Sequence, residues 1–196
     1  MVTNLIITGV GGQGNVMASQ IVGYAAVNAG LKVFIGETFG LSQRGGPVMS
    51  HVRITDNDML GPLIPNGKAD FILGIEPLET LRVMKEFGNR NSIVITNSRP
   101  IYPINVTAGE NLYPRQENIR KLLEQQCQKL HWLDLTKSAL NLGSSILLNV
   151  ILLGTLSKLE EFPLNKVTLF EALKNVMPPA KLAINQQALE VGFNCV

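Results

Sequence analysis

The sequence predicts an α/β protein of three layers, with helices on both sides of a mixed and largely parallel sheet. Short apolar runs with branched side chains alternate with segments of helical periodicity. The first run meets a glycine cluster that opens a helix, and one later run alternates apolar and polar residues as an antiparallel strand does. The 196 residues suffice for one domain, 1–196, with a substantial core.

The N-terminal segment predicts a βαβ unit of the Rossmann type. Residues 3–9 (TNLIITG) form a short apolar run bounded by glycine, which is typical of a buried strand. Residues 13–29 have helical apolar spacing, and Gly30 is a plausible helix stop. Residues 32–37 (KVFIGE) predict a second strand, and a right-handed crossover would make the two strands parallel.

The pattern changes after this unit. Residues 48–55 (VMSHVRIT) alternate in polarity, which favours a half-buried antiparallel strand. Buried or short strands are predicted at 70–76, 92–97 and 131–135. Helices are predicted at 77–87, 116–130, 144–159, 167–176 and 180–193.

Composition excludes several classes of protein. Charged residues make up 16% of the chain and the net charge is +2, without a basic run interleaved with aromatics, so a nucleic-acid binder is not indicated. Cys127 and Cys195 form no CxxC motif, and two reduced thiols suit a cytoplasmic protein without a metal site. The apolar stretch at 146–156 is too short to span a bilayer and predicts a helix buried on most sides.

The first glycine loop follows the phosphate-binding pattern G-x-G-x-x-G. Gly9, Gly11 and Gly14 stand between a strand and a helix, where bare backbone and the helix N-terminus favour a pyrophosphate. Gly12 and Gln13 widen the row of N–H groups, which suits an anion or the carbonyls of a partner loop. Glu37 ends the second strand, where an acid would bind a ribose hydroxyl. A tight turn that binds nothing explains the glycines equally well.

A second loop, LSQRGGPVMSHVRI at 41–54, carries an arginine beside bare backbone. Arg44 precedes Gly45 and Gly46, and arginine makes bidentate contacts with phosphate or carboxylate. If the first two strands are neighbours, both glycine loops lie at the sheet edge where ligands bind. A loop arginine paired with a local acid is the alternative. His51 is expected at a surface or interface, and Arg53 pairs with an acid such as Glu37 or contacts a ligand.

Together, GVGGQG and GLSQRGGPVMSHVRI resemble the gamma-type domain of 2-oxoacid:ferredoxin oxidoreductases. The longer loop ETFGLSQRGGPVMSHVRI is most similar to the indolepyruvate oxidoreductase branch, in which this domain is the small beta subunit. The C-terminal AKLAINQQALEVGF is similar to the closing helix of the family. The resemblance covers nearly the whole chain.

The resemblance implies an accessory role in an enzyme that oxidatively decarboxylates a 2-oxoacid, such as indolepyruvate or another aryl-pyruvate, to an acyl-CoA. Electrons pass to ferredoxin, and thiamine diphosphate, Mg and iron–sulfur clusters belong to a larger partner subunit. This chain has no G-D-G…N segment and no cysteine cluster, so no catalytic residue is assigned. Coenzyme A is expected at one surface, formed by Gly11, Gly12, Gln13, Gly14, Ser42, Arg44, Gly45 and Gly46.

Two other functions stay open at this point. The chain would bind NAD(P) or a flavin dinucleotide by itself if Glu37 held a ribose. It would be a scaffold subunit if the glycines only fitted a partner's surface. Ferredoxin is expected as an indirect partner, a homodimer is a further expectation, and no nucleic-acid or membrane partner is expected.

Overall fold

The computed structural model describes residues 1–39, 46–56, 59–102 and 104–196. Its strands form one six-stranded sheet in the order β2-β3-β1-β4-β5-β6. The strands are β1 (Val2–Val10), β2 (Lys32–Phe39), β3 (Pro47–Thr55), β4 (Phe71–Gly74), β5 (Ile93–Asn97) and β6 (Lys129–Leu133). β1, β4, β5 and β6 are parallel, and β3 is antiparallel to both of its neighbours.

Helices cover both faces of this sheet, so the predicted three-layer α/β fold is confirmed. The helices are α1 (Asn15–Asn28), α2 (Pro77–Phe87), α3 (Ile104–Thr107), α4 (Gln116–Gln126), α5 (Thr136–Asn141), α6 (Leu148–Leu156), α7 (Lys166–Val176) and α8 (Pro179–Phe193). A short 3-10 helix, Ser145–Leu147, leads into α6. The side chains of α1 and α5–α8 pack on one face of the sheet, and those of α2 and α4 pack on the other.

The pleat of β1 divides the core into two clusters. Leu5 and Ile7 point into the larger cluster with α1 and α5–α8, whereas Ile6 points into the smaller cluster with α2 and α4. All nine residues of α6 are buried within this chain, as its unbroken apolar sequence predicts. None of the described helices combines the length and the apolar character needed to cross a bilayer.

The sheet departs from a simple Rossmann order at its N-terminal half. β1 and β2 are parallel, as predicted, but they are not neighbours, because β3 lies between them and pairs with both. Pro47 pairs with Val10, and Val48 pairs with Phe39 across the other edge of β3. The described ends of the second loop, Phe39 and Gly46, therefore lie at the same end of the sheet as the first glycine loop, although the assumption that β1 and β2 are adjacent was wrong.

Candidate functional site

The glycine turn, residues 11–14, follows the carboxyl end of β1 and starts α1. Gly12 and Gly14 have φ angles of 96° and 85°, a left-handed conformation that glycine adopts without strain. Gln13 folds back, because its Oε1 accepts from the Val10 N–H at 2.7 Å. A Cβ on Gly9 would lie 2.5 Å from this oxygen, so Gly9 makes room for the Gln13 side chain.

The N–H groups of this turn are only partly available to a ligand. The Gly11 N–H donates to the Gly46 carbonyl at 2.8 Å, and the Gln13 N–H donates to the Val10 carbonyl at 3.2 Å. Within the described residues, the N–H groups of Gly12 and Gly14 have no backbone acceptor. No side chain of the described residues caps α1, so the positive end of this helix adds to these two donors.

The Gly11–Gly46 hydrogen bond joins the two glycine loops directly. Gly46 is the last residue of the second loop before β3, and it is buried. Ser42, Arg44 and Gly45 lie outside the described residues. The structure thus brings Gly9, Gly11–Gly14 and Gly46 together at one end of β1.

A cleft with a volume of about 360 Å³ opens beside the glycine turn. It lies beyond the carboxyl ends of β1, β4 and β5 and next to the 3-10 helix. The chain leaves β1 for α1 on one face and leaves β4 for α2 on the other, so the cleft lies at the switch point where α/β sheets bind ligands. Its lining residues are Val10, Gly11, Gly12, Gln13, Ile75, Asn97, Arg99, Pro100, Ile101, Thr136, Ser145, Ile146 and Leu148.

The lining combines one cation with apolar walls. Arg99 is exposed and lines the same cleft as the glycine turn, so it can bring a positive charge to a bound ligand. Ile75, Ile101 and Ile146 provide flat apolar surface, while Thr136 and Ser145 provide hydroxyl groups. This combination suits a ligand that has both an anionic group and a ring or alkyl portion.

Asn97 lines the cleft and hydrogen-bonds to the segments beside it. Its amide donates to the Arg99 carbonyl at 3.3 Å and to Thr136 Oγ1 at 3.1 Å, and its Oδ1 accepts from the Leu135 N–H at 3.1 Å. These bonds tie the ends of β5 and β6 together. The Asn97 side chain is buried and hydrogen-bonds to the protein rather than to a ligand. These bonds hold the segment that carries Arg99 in place.

Asn149 connects the glycine turn to α6, which lies in the same helical layer as α1. It lies in the first turn of α6, is fully buried, and donates from Nδ2 to the Gly14 carbonyl at 3.0 Å. A Cβ on Gly14 would overlap this amide. The start of α1 and the start of α6 are therefore fixed against each other.

Glu37 does not line the cleft. It pairs with Ser50 across the β2–β3 ladder and lies under α1. Its carboxylate accepts from Ser19 Oγ at 2.7 Å and from Ser50 Oγ at 2.5 Å. A ribose would have to displace both serines, and this geometry counts against the dinucleotide role of Glu37.

Two smaller expectations about β3 were wrong. Arg53 does not pair with Glu37; its Nε donates to Asn4 Oδ1 at 2.9 Å and its guanidinium donates to the Gly61 carbonyl. His51 is buried rather than at a surface, and its ring packs edge-on against Phe87 at 5.1 Å. Burial lowers the pKa of His51 and so disfavours the charged form of the ring.

The sequence did not predict the cleft residues that lie outside the glycine turn. Asn97 ends a strand that the sequence predicts correctly, and a polar residue at the carboxyl end of a parallel strand is the signal that indicates such a site. Asn149 is a polar residue in the first turn of an otherwise largely apolar helix, which also indicates a specific contact. Arg99, Thr136 and Ser145 carry no local signal. The described residues contain no group of three His, Cys, Asp or Glu side chains that could hold a metal ion.

Comparison with known proteins identifies relatives of this fold. The family model for pyruvate ferredoxin/flavodoxin oxidoreductase matches residues 4–195. The indolepyruvate oxidoreductase subunit IorB of Thermococcus kodakarensis is 40% identical over 190 residues, covering 96% of this chain and 93% of the relative.

Two solved structures share the fold. The gamma subunit of a keto/oxoacid ferredoxin oxidoreductase from Geobacter sulfurreducens has a TM-score of 0.73 and 22% identity, with 98% of this chain and 95% of that chain covered. A 2-oxoglutarate:ferredoxin oxidoreductase from Magnetococcus marinus has a TM-score of 0.75 and 20% identity, with 98% of this chain and 30% of that chain covered. The family match and the Thermococcus relative establish that this chain belongs to the pyruvate ferredoxin/flavodoxin oxidoreductase family.

Proposed function

We propose that this chain is the accessory subunit of a 2-oxoacid:ferredoxin oxidoreductase, and that its switch-point cleft receives coenzyme A. The observation that carries the proposal is the cleft itself, which is lined both by Arg99 and by the glycine turn, where the N–H groups of Gly12 and Gly14 have no backbone acceptor among the described residues. Coenzyme A has phosphate groups for these donors and an adenine ring for Ile101 and Ile146. The Magnetococcus enzyme, which shares the fold, has been solved with coenzyme A bound.

The enzyme would oxidatively decarboxylate a 2-oxoacid to an acyl-CoA and pass the electrons to ferredoxin. A larger partner subunit would hold thiamine diphosphate, Mg and the iron–sulfur clusters, because this chain lacks the motifs for them. Indolepyruvate or another aryl-pyruvate is the proposed substrate, since the 40%-identical Thermococcus relative is an indolepyruvate oxidoreductase subunit. Glycine-loop residues Ser42, Arg44 and Gly45 are proposed to complete the coenzyme A surface.

The composition of the outer face of α1 is evidence that a protein partner binds there. Residues 1–31 contain no Asp, Glu, Lys or Arg. Tyr24 and Val27 are 48% and 59% exposed on this helix, and Val16 lies on the same side next to the glycine turn. An uncharged, partly apolar helix face beside the cleft is the composition expected of a surface that a partner covers.

The test begins with the native complex, purified anaerobically from its own cells through this chain. A stoichiometric partner with thiamine diphosphate and cluster motifs supports the subunit assignment, and recovery of the chain alone or as a homodimer contradicts it. The complex is then reassembled with Arg99→Ala. Loss of a charge-assisted phosphate contact should raise the KM for coenzyme A about tenfold, with the KM for the 2-oxoacid unchanged.

Arg90→Ala is the matched control. It removes the same charge at the opposite end of the sheet, where Arg90 donates to the Gln125 carbonyl. An unchanged KM for coenzyme A in the Arg99 variant would favour the scaffold function. Micromolar binding of NAD that Glu37→Ala abolishes would favour the dinucleotide function.

A further inference from the structure

The residues that hold the Arg99 side of the cleft include a buried carboxylate that the proposed reaction does not use. Glu76 is the second residue after β4, immediately before α2, and is 1% exposed. Its Oε2 accepts from the Glu79 N–H at 2.8 Å and so caps α2. Its Oε1 accepts from the Tyr113 hydroxyl at 2.5 Å, across 37 residues of sequence.

Helix capping alone does not explain this arrangement. A cap needs one oxygen, whereas both oxygens of Glu76 are occupied. Burial raises the pKa of Glu76, and Tyr113 together with the N–H groups of Glu79, Ile101 and Leu78 acts in the opposite direction. The Ile101 N–H belongs to the loop after β5, which forms one wall of the cleft.

The loop after β5, residues 98–102, is attached at its start, where the Ser98 N–H donates to the Leu133 carbonyl at 2.7 Å. Ile101 and Tyr102 are 43% and 56% exposed. Asn97 holds the loop before Pro100 by donating to the Arg99 carbonyl. Beyond Pro100, the loop contacts Tyr113 through the Tyr102 ring, whose centroid lies 5.1 Å from that of Tyr113 in an edge-on contact. The Ile101 N–H acts on the Glu76 carboxyl by lowering its pKa.

We propose that Glu76 and Tyr113 are positioning residues, which fix residues 98–102 and thereby hold Arg99 and Ile101 in place for coenzyme A. The inference rests on the proposed function of the cleft. Neither residue lines the cleft; each acts through the loop. Tyr113, in the segment before α4, donates its hydroxyl to Glu76 at the cap of α2 and packs its ring against Tyr102 of the loop.

The test uses Tyr113→Phe, which removes the hydroxyl and keeps the ring against Tyr102. In the full-length chain, hydrogen exchange at the Ile101 and Tyr102 amides should accelerate about tenfold. In the reassembled enzyme, the KM for coenzyme A should rise about fivefold, with the KM for the 2-oxoacid unchanged. Thr168→Val, which removes the hydroxyl that donates to the Asn165 carbonyl at 2.8 Å at the start of α7, is the matched control and should change neither quantity.

A double variant separates positioning from general destabilisation. If Tyr113 acts through Arg99, Tyr113→Phe should raise the KM for coenzyme A much less in an Arg99→Ala background. Equal effects in both backgrounds would overturn the proposal. Tyr102→Ala removes the ring contact from the exposed side, and it should reproduce the faster exchange if the Phe variant does not fold.

The outcomes also distinguish this proposal from the proposed function. Unchanged exchange at Ile101 and Tyr102 in Tyr113→Phe and in Tyr102→Ala overturns the positioning role, whatever the cleft binds. Faster exchange with an unchanged KM, in an enzyme whose Arg99→Ala variant has a raised KM, overturns it as well. An unchanged KM in Arg99→Ala by itself places coenzyme A elsewhere and rejects the proposed function.

Discussion

At the scale of single residues, Gly14 is subject to two separate constraints. Its φ of 85° favours glycine, and the space where a Cβ would lie is taken by the amide of Asn149. Gly30, after the end of α1, has a φ of 76° but open space around it. A comparison of substitutions at Gly14 and Gly30 therefore distinguishes the cost of backbone strain from the cost of lost packing.

We expect Gly14→Ala to lower the free energy of unfolding by about 2–3 kcal/mol, because strain adds to the loss of the Asn149 hydrogen bond. Gly30→Ala should cost about 1 kcal/mol from strain alone. Urea unfolding of both variants measures the difference. Equal losses would mean that the contact between α1 and α6 contributes little.

At the scale of elements, α6 and α8 approach through their backbones. A Cβ on Gly192 of α8 would overlap the Ile151 carbonyl of α6, and a Cβ on Gly154 of α6 would overlap the Leu189 carbonyl of α8. Thr155 Oγ1 donates to the Gly192 carbonyl at 3.1 Å across this contact. Both glycines are therefore required by the distance between the helices.

Gly192→Ala should destabilise the protein by about 3 kcal/mol, since the two helices must separate to admit a methyl group. Gly23→Ala in α1 is the control, because its Cβ would meet only the flexible end of Ile35 at 3.0 Å. Gly23→Ala should be neutral or stabilising by up to about 1 kcal/mol through helix propensity. Thermal unfolding of the two variants tests the contrast, and similar melting temperatures would contradict it.

The sequence was most informative about the individual strands and helices. The apolar run at 3–9 and the alternation at 48–55 each predicted a strand that the structure contains. Their order in the sheet was not predictable in the same way, because insertion of β3 between β1 and β2 depends on pairing between distant segments. The glycine turn was located from its motif, whereas Arg99 and Thr136 reach the cleft only through the order of the strands.

At the scale of the whole molecule, His51 links stability to pH. The ring lies in the smaller core, where its Nδ1 accepts from the Ile64 N–H at 3.2 Å. Burial lowers its pKa from the ordinary value of 6.5. As pH falls below about 6.5, the unfolded chain therefore binds a proton that the folded chain does not, and the free energy of unfolding decreases.

We expect the wild-type chain to lose up to about 1.4 kcal/mol per pH unit from this residue, between pH 6.5 and the lower pKa of the folded state. His51→Gln should lack this component, while the half-buried His131 titrates in both proteins and cancels in the comparison. Urea unfolding at pH 8 and pH 5.5 measures the loss in the free energy of unfolding of each protein. Parallel pH dependence in the two proteins would show that His51 is protonated in the fold.

The position of the cleft also bears on how long an unassembled copy of this chain persists in a cell. One wall belongs to the layer of α1 and α6, and the other is attached through Tyr113 to the layer of α2 and α4. A molecule seated between them would add its binding free energy to the cohesion of the fold, about 2.7 kcal/mol at a hundredfold excess over its Kd. The supply of that molecule would then govern the lifetime of the free subunit, and with it the time available to meet a partner.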